Sequence, residues 1–199
     1  MKKDTISNTA LLEAGLNLMR ENGQTLTKVP SQGRTMLYKR PDGQTVRVRT
    51  CNDHILIVVA NSPEPEARLN IEGTDWILYV MPEQERTPGN VIAFLLPTDL
   101  VVREVRRKHQ EWLESNPNTK GSNTTWNLWF REDGPAKANG YAKKWKQYLL
   151  SGATTLDESG LGNAEVGSVK AEVERAQNRI GQAAGVSPAA VTITISFAE

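Results

Sequence analysis

The sequence predicts an α+β protein with a mixed, mostly antiparallel central sheet flanked by helices, followed by a carboxy-terminal helix–strand unit. A Pro-Asp-Gly turn at residues 41–43 joins two short segments of alternating polarity, which is typical of a β-hairpin. In two longer segments apolar side chains recur every three or four residues, which is typical of amphipathic helices. Between these segments lie three apolar runs of strand length, at residues 54–60, 76–81 and 91–96.

The composition limits the kind of protein that this chain can form. Its 199 residues suit one domain, or one domain with an appendage. Cys51 is the only cysteine, and His54 and His109 are the only histidines, which argues against a disulfide and a zinc site within the chain. The net charge is +1, from 24 basic and 23 acidic residues, so attraction to nucleic acid must come from local clusters. No apolar run reaches the roughly 18 residues of a membrane span, so we expect a cytoplasmic protein without a membrane partner.

The first helix is expected over residues 8–22, with Ser7 or Asn8 as its amino-terminal cap. A short strand follows at residues 25–29. The hairpin then spans residues 36–50, because its glycine can take the positive φ that closes a tight turn.

The second hairpin strand carries two arginines on one face. Strand side chains alternate between faces, so Val46 and Val48 point to one side and Arg47 and Arg49 to the other. Two readings stay open: a half-buried strand with a solvated basic face, or a surface that binds polyanions.

The apolar runs predict the centre of the sheet. The run at residues 54–60 is almost continuous, so we expect a strand that is covered on both faces. The strands at residues 76–81 and 91–96 are expected to be antiparallel neighbours, because the loop 82–90 is too short for a helical crossover.

A second helix is expected over residues 98–114, capped by Thr98 or Asp99. His109 falls within its apolar stripe, which predicts packing at the edge of the core. The opposite face is basic and contains Arg103, Arg106, Arg107 and Lys108.

The remainder of the chain predicts where the core ends and a linker begins. A short strand at residues 126–130 and a helix at 141–150, whose aromatic stripe is expected in the core, complete an α/β core over residues 1–150. Residues 151–163 contain three glycines and no apolar period, which predicts a linker.

Residues 164–199 form the predicted carboxy-terminal unit. Apolar residues recur every three or four positions from Val166 to Ala184, which predicts a helix, and residues 191–197 alternate as a strand. An alternative comes from the Gly185-Val186-Ser187 turn, because residues 180–196 resemble the helix-turn-helix of LacI-type repressors.

Several short motifs occur in a suggestive order. They are a helix around Leu11-Leu12-Glu13, the strand Val46-Arg47-Val48-Arg49-Thr50, the strand Asp75-Trp76-Ile77-Leu78-Tyr79-Val80, and Phe94-Leu95-Leu96-Pro97 before the basic helix. Together with the order of elements, they resemble the PD-(D/E)XK restriction-endonuclease-like fold over residues 8–148.

That resemblance implies a metal site, and this chain departs from it. Family members hold Mg²⁺ with an aspartate on the first hairpin strand and an acidic residue on the second, while a lysine helps to activate water. Here Arg47 occupies the acidic position and Arg49 the lysine position. Two arginines would repel the ion, so the resemblance implies a degenerate site without catalytic residues. If a nuclease nevertheless operates, the substitute Mg²⁺ ligands are Asp42, Asp53 and Glu13.

The resulting hypothesis is a non-catalytic protein that binds DNA or RNA and needs no cofactor. Its predicted contact residues are basic and lie on the hairpin and the second helix: Lys39, Arg40, Arg47, Arg49, Arg106, Arg107 and Lys108. One alternative is an Mg²⁺-dependent nuclease with rearranged ligands. Another is a subunit that pairs with a protein partner, or with a second copy, through the strand at residues 191–197.

Overall fold

The computed structural model describes residues 6–30, 36–117, 123–131 and 140–156, together with residues 177, 180, 187 and 190–194. Its contacts divide the chain into two units, Met1–Gly162 and Asn163–Glu199. Every helix and strand given below belongs to the first unit. In the second unit, Gln177 and Ile180 are helical, and residues 191–194 form neither helix nor strand. The rest of the predicted carboxy-terminal helix, strand and helix-turn-helix lies outside the described residues.

In the described part of the first unit there are three α-helices, eight strands and a short 3₁₀ helix. They are α1 (Asn8–Glu21), β1 (Thr27–Lys28), β2 (Leu37–Lys39), β3 (Thr45–Thr50), β4 (Ile55–Val59), β5 (Trp76–Pro82), β6 (Gly89–Pro97), α2 (Thr98–Ser115), β7 (Thr125–Trp129), α3 (Tyr141–Lys144), the 3₁₀ helix Lys146–Tyr148, and β8 (Thr154–Leu156).

Six strands form the main sheet, in the order β1-β2-β3-β5-β6-β8, and β4 and β7 form a second sheet of two strands. Among the described strands of this sheet, only β3 and β5 are parallel; the other neighbours are antiparallel, including β5 and β6. The predicted α+β class is therefore confirmed. The parallel pair needs a crossover, and here β4 and the loop that follows it make this connection.

Helix α1 covers one face of the main sheet. Ser7 begins it, since its hydroxyl accepts a hydrogen bond from the Ala10 N–H at 3.0 Å. Val46 and Val48 are buried against this helix, as their alternation predicts. Gly15 brings the helix backbone close to the sheet, because a Cβ at that position would lie 2.4 Å from Val80 Cγ2.

The other face of the main sheet is covered by the β4–β7 sheet, α2 and α3. Tyr79 and Phe94 are central to this cluster, and Phe130 contacts both rings, with centroid separations of 4.5 and 5.1 Å. Tyr141 and Trp145 are buried in the same cluster, so the aromatic stripe predicted for residues 141–150 packs on the core. The single helix predicted there is instead divided into α3 and the 3₁₀ helix.

Several boundaries differ from the sequence predictions. Strand β4 is covered on one face only, and Ile57 and Val59 are each 41% exposed. The amino-terminal cap of α2 is Pro97, which forms no side-chain cap hydrogen bond. Three residues of the predicted linker instead form β8, which pairs with β6. Among the described residues, no helix is both long enough and apolar enough to cross a bilayer.

Candidate functional site

Arg47 and Arg49 lie side by side on β3, in the middle of the main sheet. Their register partners on β5 are Ile77 and Tyr79, which belong to the cluster on the side away from α1. Both arginines are half-buried on that face. The hairpin and the alternation of β3 therefore place the two guanidiniums as the sequence predicts.

Neither guanidinium has a partner in the described part of the chain. The Nε atom of each is enclosed and makes no hydrogen bond, and no carboxylate pairs with either group. Burial lowers the pKa of Arg47, and burial followed by the charge of Arg47 lowers the pKa of Arg49. Residues two apart on a strand are about 7 Å apart, and two charges at that distance repel each other by roughly 2 kcal/mol at an effective dielectric near 20.

An open cavity of about 350 Å³ lies beside Arg47. The crossover from β3 to β5 forms much of it, because the end of β4 and the following loop pass over this side of the sheet. Its lining residues are Arg47, Val59, Ala60, Asn61, Arg68, Leu69, Asn70 and Glu72. Arg68 is exposed and, like Arg47, has no ion-pair partner among the described residues.

The polar groups around this cavity are chiefly hydrogen-bond donors. The Asn61 Oδ1 atom accepts the Arg68 N–H at 2.9 Å, and the Asn70 Oδ1 atom accepts the Val59 N–H at 3.1 Å. Each amide therefore keeps its NH₂ group for another partner. The cavity thus combines two unpaired guanidiniums with two amide donors, a set that suits an anionic oxygen ligand.

The carboxylate at the cavity is already neutralised. Glu72 Oε1 accepts a hydrogen bond from Arg106 at 2.8 Å, and the two side chains are 30% and 32% exposed. The charge of the Arg47–Arg68 pair therefore stands largely uncompensated.

Lys39 and Arg40, which are adjacent in the sequence, lie on opposite faces of the main sheet. Lys39 pairs in register with Thr45, so it lies on the same sheet face as Arg47, and it is exposed. Arg40 lies on the opposite face, where its guanidinium stacks over Trp76 at 5.4 Å and hydrogen-bonds Gln24 and Gln44.

The basic residues of α2 are engaged in ion pairs. Arg106 pairs with Glu66 and Glu72, Arg107 with Glu104 and Glu111, and Lys108 with Glu111. Hydrogen bonding to Glu104 raises the pKa of Arg107. These three cations therefore differ from Arg47 and Arg49, because each already has a carboxylate partner.

The three substitute metal ligands do not come together. Asp42 precedes β3 and accepts the Gln44 N–H within the turn, whereas Asp53 follows β3 and pairs with Arg86. A six-residue strand separates them by roughly 20 Å. Glu13 is exposed on α1. In the described ranges, no group of three or more histidine, cysteine, aspartate or glutamate side chains is arranged to hold a metal ion.

Comparison of the chain with known protein families, curated proteins and solved structures gave no match. Sequence reasoning missed Arg68, Asn61 and Asn70, which belong to the loop between β4 and β5. Their position depends on the bridge between Ala60 and Leu69, which the local sequence does not reveal.

Proposed function

We propose that this protein binds nucleic acid without cleaving it, and that Arg47, Arg49 and Arg68 contact phosphate groups. The observation that carries the proposal is the adjacent pair Arg47 and Arg49, half-buried and without any carboxylate partner. Charged side chains are seldom buried unless they are paired. A bound phosphate would supply the missing partner.

Phosphate suits these groups for chemical reasons. A guanidinium keeps its charge at any physiological pH and donates two parallel hydrogen bonds to an oxyanion. Lys39 lies on the same face, and the amides of Asn61 and Asn70 add neutral donors at the cavity. A chain with a net charge of only +1 then owes its attraction for a polyanion to this one cluster.

We propose no cleavage activity for the protein because the candidate carboxylates lie far apart. Glu13, Asp42 and Asp53 occupy a helix face and opposite ends of β3, so they cannot share one ion as they stand. We expect plasmid DNA to remain intact when it is incubated with the protein and Mg²⁺ or Mn²⁺. Cleavage that needs Asp42 or Asp53 would contradict this part of the proposal.

Fluorescence anisotropy with labelled DNA and RNA 20-mers tests the binding itself. The double variant Arg47→Gln/Arg49→Gln should weaken binding at least tenfold, and the slope of log affinity against log salt should fall by about 2, for two lost phosphate contacts. The control Arg103→Gln/Lys146→Gln removes the same charge from exposed positions on α2 and the 3₁₀ helix. Equal losses in both variants, or no binding by the wild type at low salt, would overturn the proposal.

A further inference from the structure

A second cavity, of about 530 Å³, lies between α2 and β7. Unlike the cavity at Arg47, it is rich in aromatic side chains. Its lining residues are Val105, Lys108, His109, Glu111, Trp112, Ser115, Asn123, Thr125, Trp126, Asn127 and Trp129. Three of the five tryptophans of the chain therefore line one groove.

The aromatic wall of this groove is fixed by stacking. The His109 ring stacks with both Trp126 and Trp112, with centroid distances of 4.0 and 5.9 Å and a 15° angle to each ring. The imidazole Nε2 is 2.7 Å from the Pro63 carbonyl oxygen, which holds the ring in place. Trp126 is only 3% exposed, so it packs in the core beneath the groove and is not accessible to a ligand.

Trp112 and Trp129 are the tryptophans that a ligand can reach, since both are only half-buried. The Arg131 guanidinium covers one face of Trp129, at 4.9 Å from the ring centroid. An indole held in this way loses little conformational entropy when it stacks on a planar ligand.

Polar groups at the groove can read the edge of such a ligand. The exposed Asn127 amide makes no hydrogen bond within the described chain, so both its donor and its acceptor remain available. The Asn123 Oδ1 atom accepts the Thr125 N–H at 3.0 Å, which leaves its NH₂ group to donate. The one carboxylate of the groove, Glu111, is paired with Arg107 and Lys108.

The aromatic groove and the cavity at Arg47 adjoin each other. Val59 lines the cavity and Thr125 lines the groove, and these two residues are direct partners in the β4–β7 sheet. Paired strands lie about 5 Å apart. The rims of the two sites therefore come together at this pair, and Trp129 lies four residues further along β7, roughly 13 Å away. The uncharged outer face between them includes Ile57.

We propose that this groove binds unpaired nucleobases, which stack on Trp112 and Trp129 while the adjoining phosphates contact Arg47 and Arg68. This inference rests on the proposed function and narrows it to single-stranded nucleic acid. A duplex keeps its bases stacked inside and offers mainly phosphates, whereas an unpaired strand offers both groups that the two sites accept.

Three probes of equal length separate the two sites: a thymidine 20-mer, a uridine 20-mer and an abasic 20-mer that has phosphates but no bases. We expect the wild type to bind a base-containing strand roughly 5- to 100-fold more tightly than the abasic strand, from one stacked base or more. Trp112→Ala/Trp129→Ala should reduce that ratio to near one and leave binding of the abasic strand unchanged. Arg47→Gln/Arg49→Gln should weaken binding of all three probes.

Two further variants control for folding. Trp112→Phe/Trp129→Phe keeps a stacking surface and should restore most of the preference, and Trp76→Phe alters a tryptophan on the α1 side of the sheet and should change nothing. In the wild type, saturation with the thymidine 20-mer should quench tryptophan fluorescence. The inference is overturned if the abasic strand binds as tightly as the others, or if no quenching occurs. If arginine-dependent binding persists in that case, the proposed function survives alone; if no probe binds, both fail.

Discussion

Arg47 and Arg49 show how a single residue position can oppose stability. Each arginine is half-buried on β3, each Nε atom is enclosed without a partner, and the two like charges lie side by side on one face of the strand. Such groups lower the stability of the folded state unless an anion joins them, and natural proteins retain these costs mainly where function needs them.

We expect Arg49→Met to raise the free energy of unfolding by about 1 kcal/mol, because it keeps the buried stem and removes one repelling charge. The same variant should bind nucleic acid more weakly. Urea denaturation measures the change in the free energy of unfolding. When inorganic phosphate is added, the free energy of unfolding should rise more for the wild type than for the variant. A clear loss of stability in Arg49→Met would show that the guanidinium is satisfied in the folded protein.

Glu104 is the opposite case, a buried charge with every partner that it needs. Its carboxylate accepts hydrogen bonds from Arg107, Lys144 and the Tyr141 hydroxyl, and its residue is only 8% exposed. Burial by itself raises the pKa of Glu104, but the hydrogen bonds from these groups outweigh it and lower the pKa to about 2. Glu104 thereby ties α2 to α3.

Glu104→Gln should lower the free energy of unfolding by about 2 kcal/mol at pH 7, since charged hydrogen bonds are replaced by weaker neutral ones. The folded pKa lies below the ordinary value of 4.5, so the stabilisation is complete well above 4.5 and is lost as the pH falls towards 2. Urea denaturation at pH 7, 4 and 3 should show the gap between wild type and variant narrowing. Glu114→Gln, at an exposed position of α2, should behave as the wild type.

The contact between helix α1 and the main sheet depends on Gly15, which has no side chain. Gly15 is buried where the helix crosses β5, and a Cβ there would lie 2.4 Å from a Val80 methyl carbon. Two effects compete when this glycine is replaced. Alanine favours a helix by about 1 kcal/mol, whereas overpacking of a filled core costs about 1–3 kcal/mol.

We expect the overpacking to dominate, so Gly15→Ala should lower the denaturation midpoint. The double variant Gly15→Ala/Val80→Ala provides the room that the methyl group needs, so the penalty for Gly15→Ala should disappear in a Val80→Ala background. A double-mutant cycle by urea denaturation measures this coupling. An additive result would place the destabilisation elsewhere in the helix.

Helices, strands and turns could be predicted from neighbouring residues. The features that could not be predicted depend on contacts between residues far apart in the chain. The Ser7 cap and the hairpin turn at Gly43 are determined by neighbouring residues, and both were found where expected. The exposure of Ile57 was missed because β4 pairs with β7, about seventy residues later in the chain, in a separate sheet that is buried on one face only. The pairing of Arg106 with Glu72 was likewise hidden by sequence distance, whereas Arg107 and Glu111 are four positions apart on one helix and should have signalled an ion pair.

The same distinction applies to the candidate site. Arg47 and Arg49 follow from strand alternation, so the sequence predicted their shared face. Arg68 enters the site only because the crossover loop folds back beside the end of β4. The tryptophans of the aromatic groove carry a weaker signal, because Trp112 and Trp129 belong to separate elements that meet only in the folded protein.

The first unit contains both cavities and every residue that is proposed to contact nucleic acid. Among the described residues, both buried clusters and the partly buried side chains packed on them end at Leu156. Strand β8 closes the main sheet at β6, and Leu156 packs on the cluster beneath α1. The unit boundary at Gly162 falls beyond that strand.

A chain of residues 1–162 should therefore unfold at the same urea midpoint as the full chain and bind the thymidine 20-mer with the same affinity, because Arg47, Trp129 and both cavities remain. A chain of residues 1–152 differs from it by ten residues only, yet it lacks β8. We expect it to lose about 1–3 kcal/mol, since the β6 edge is left unpaired and the apolar contact of Leu156 is lost. Equal stability of the two truncated chains would show that β8 adds nothing to the sheet. Loss of binding in the 1–162 chain without loss of stability would instead assign part of the nucleic-acid contact to residues 163–199.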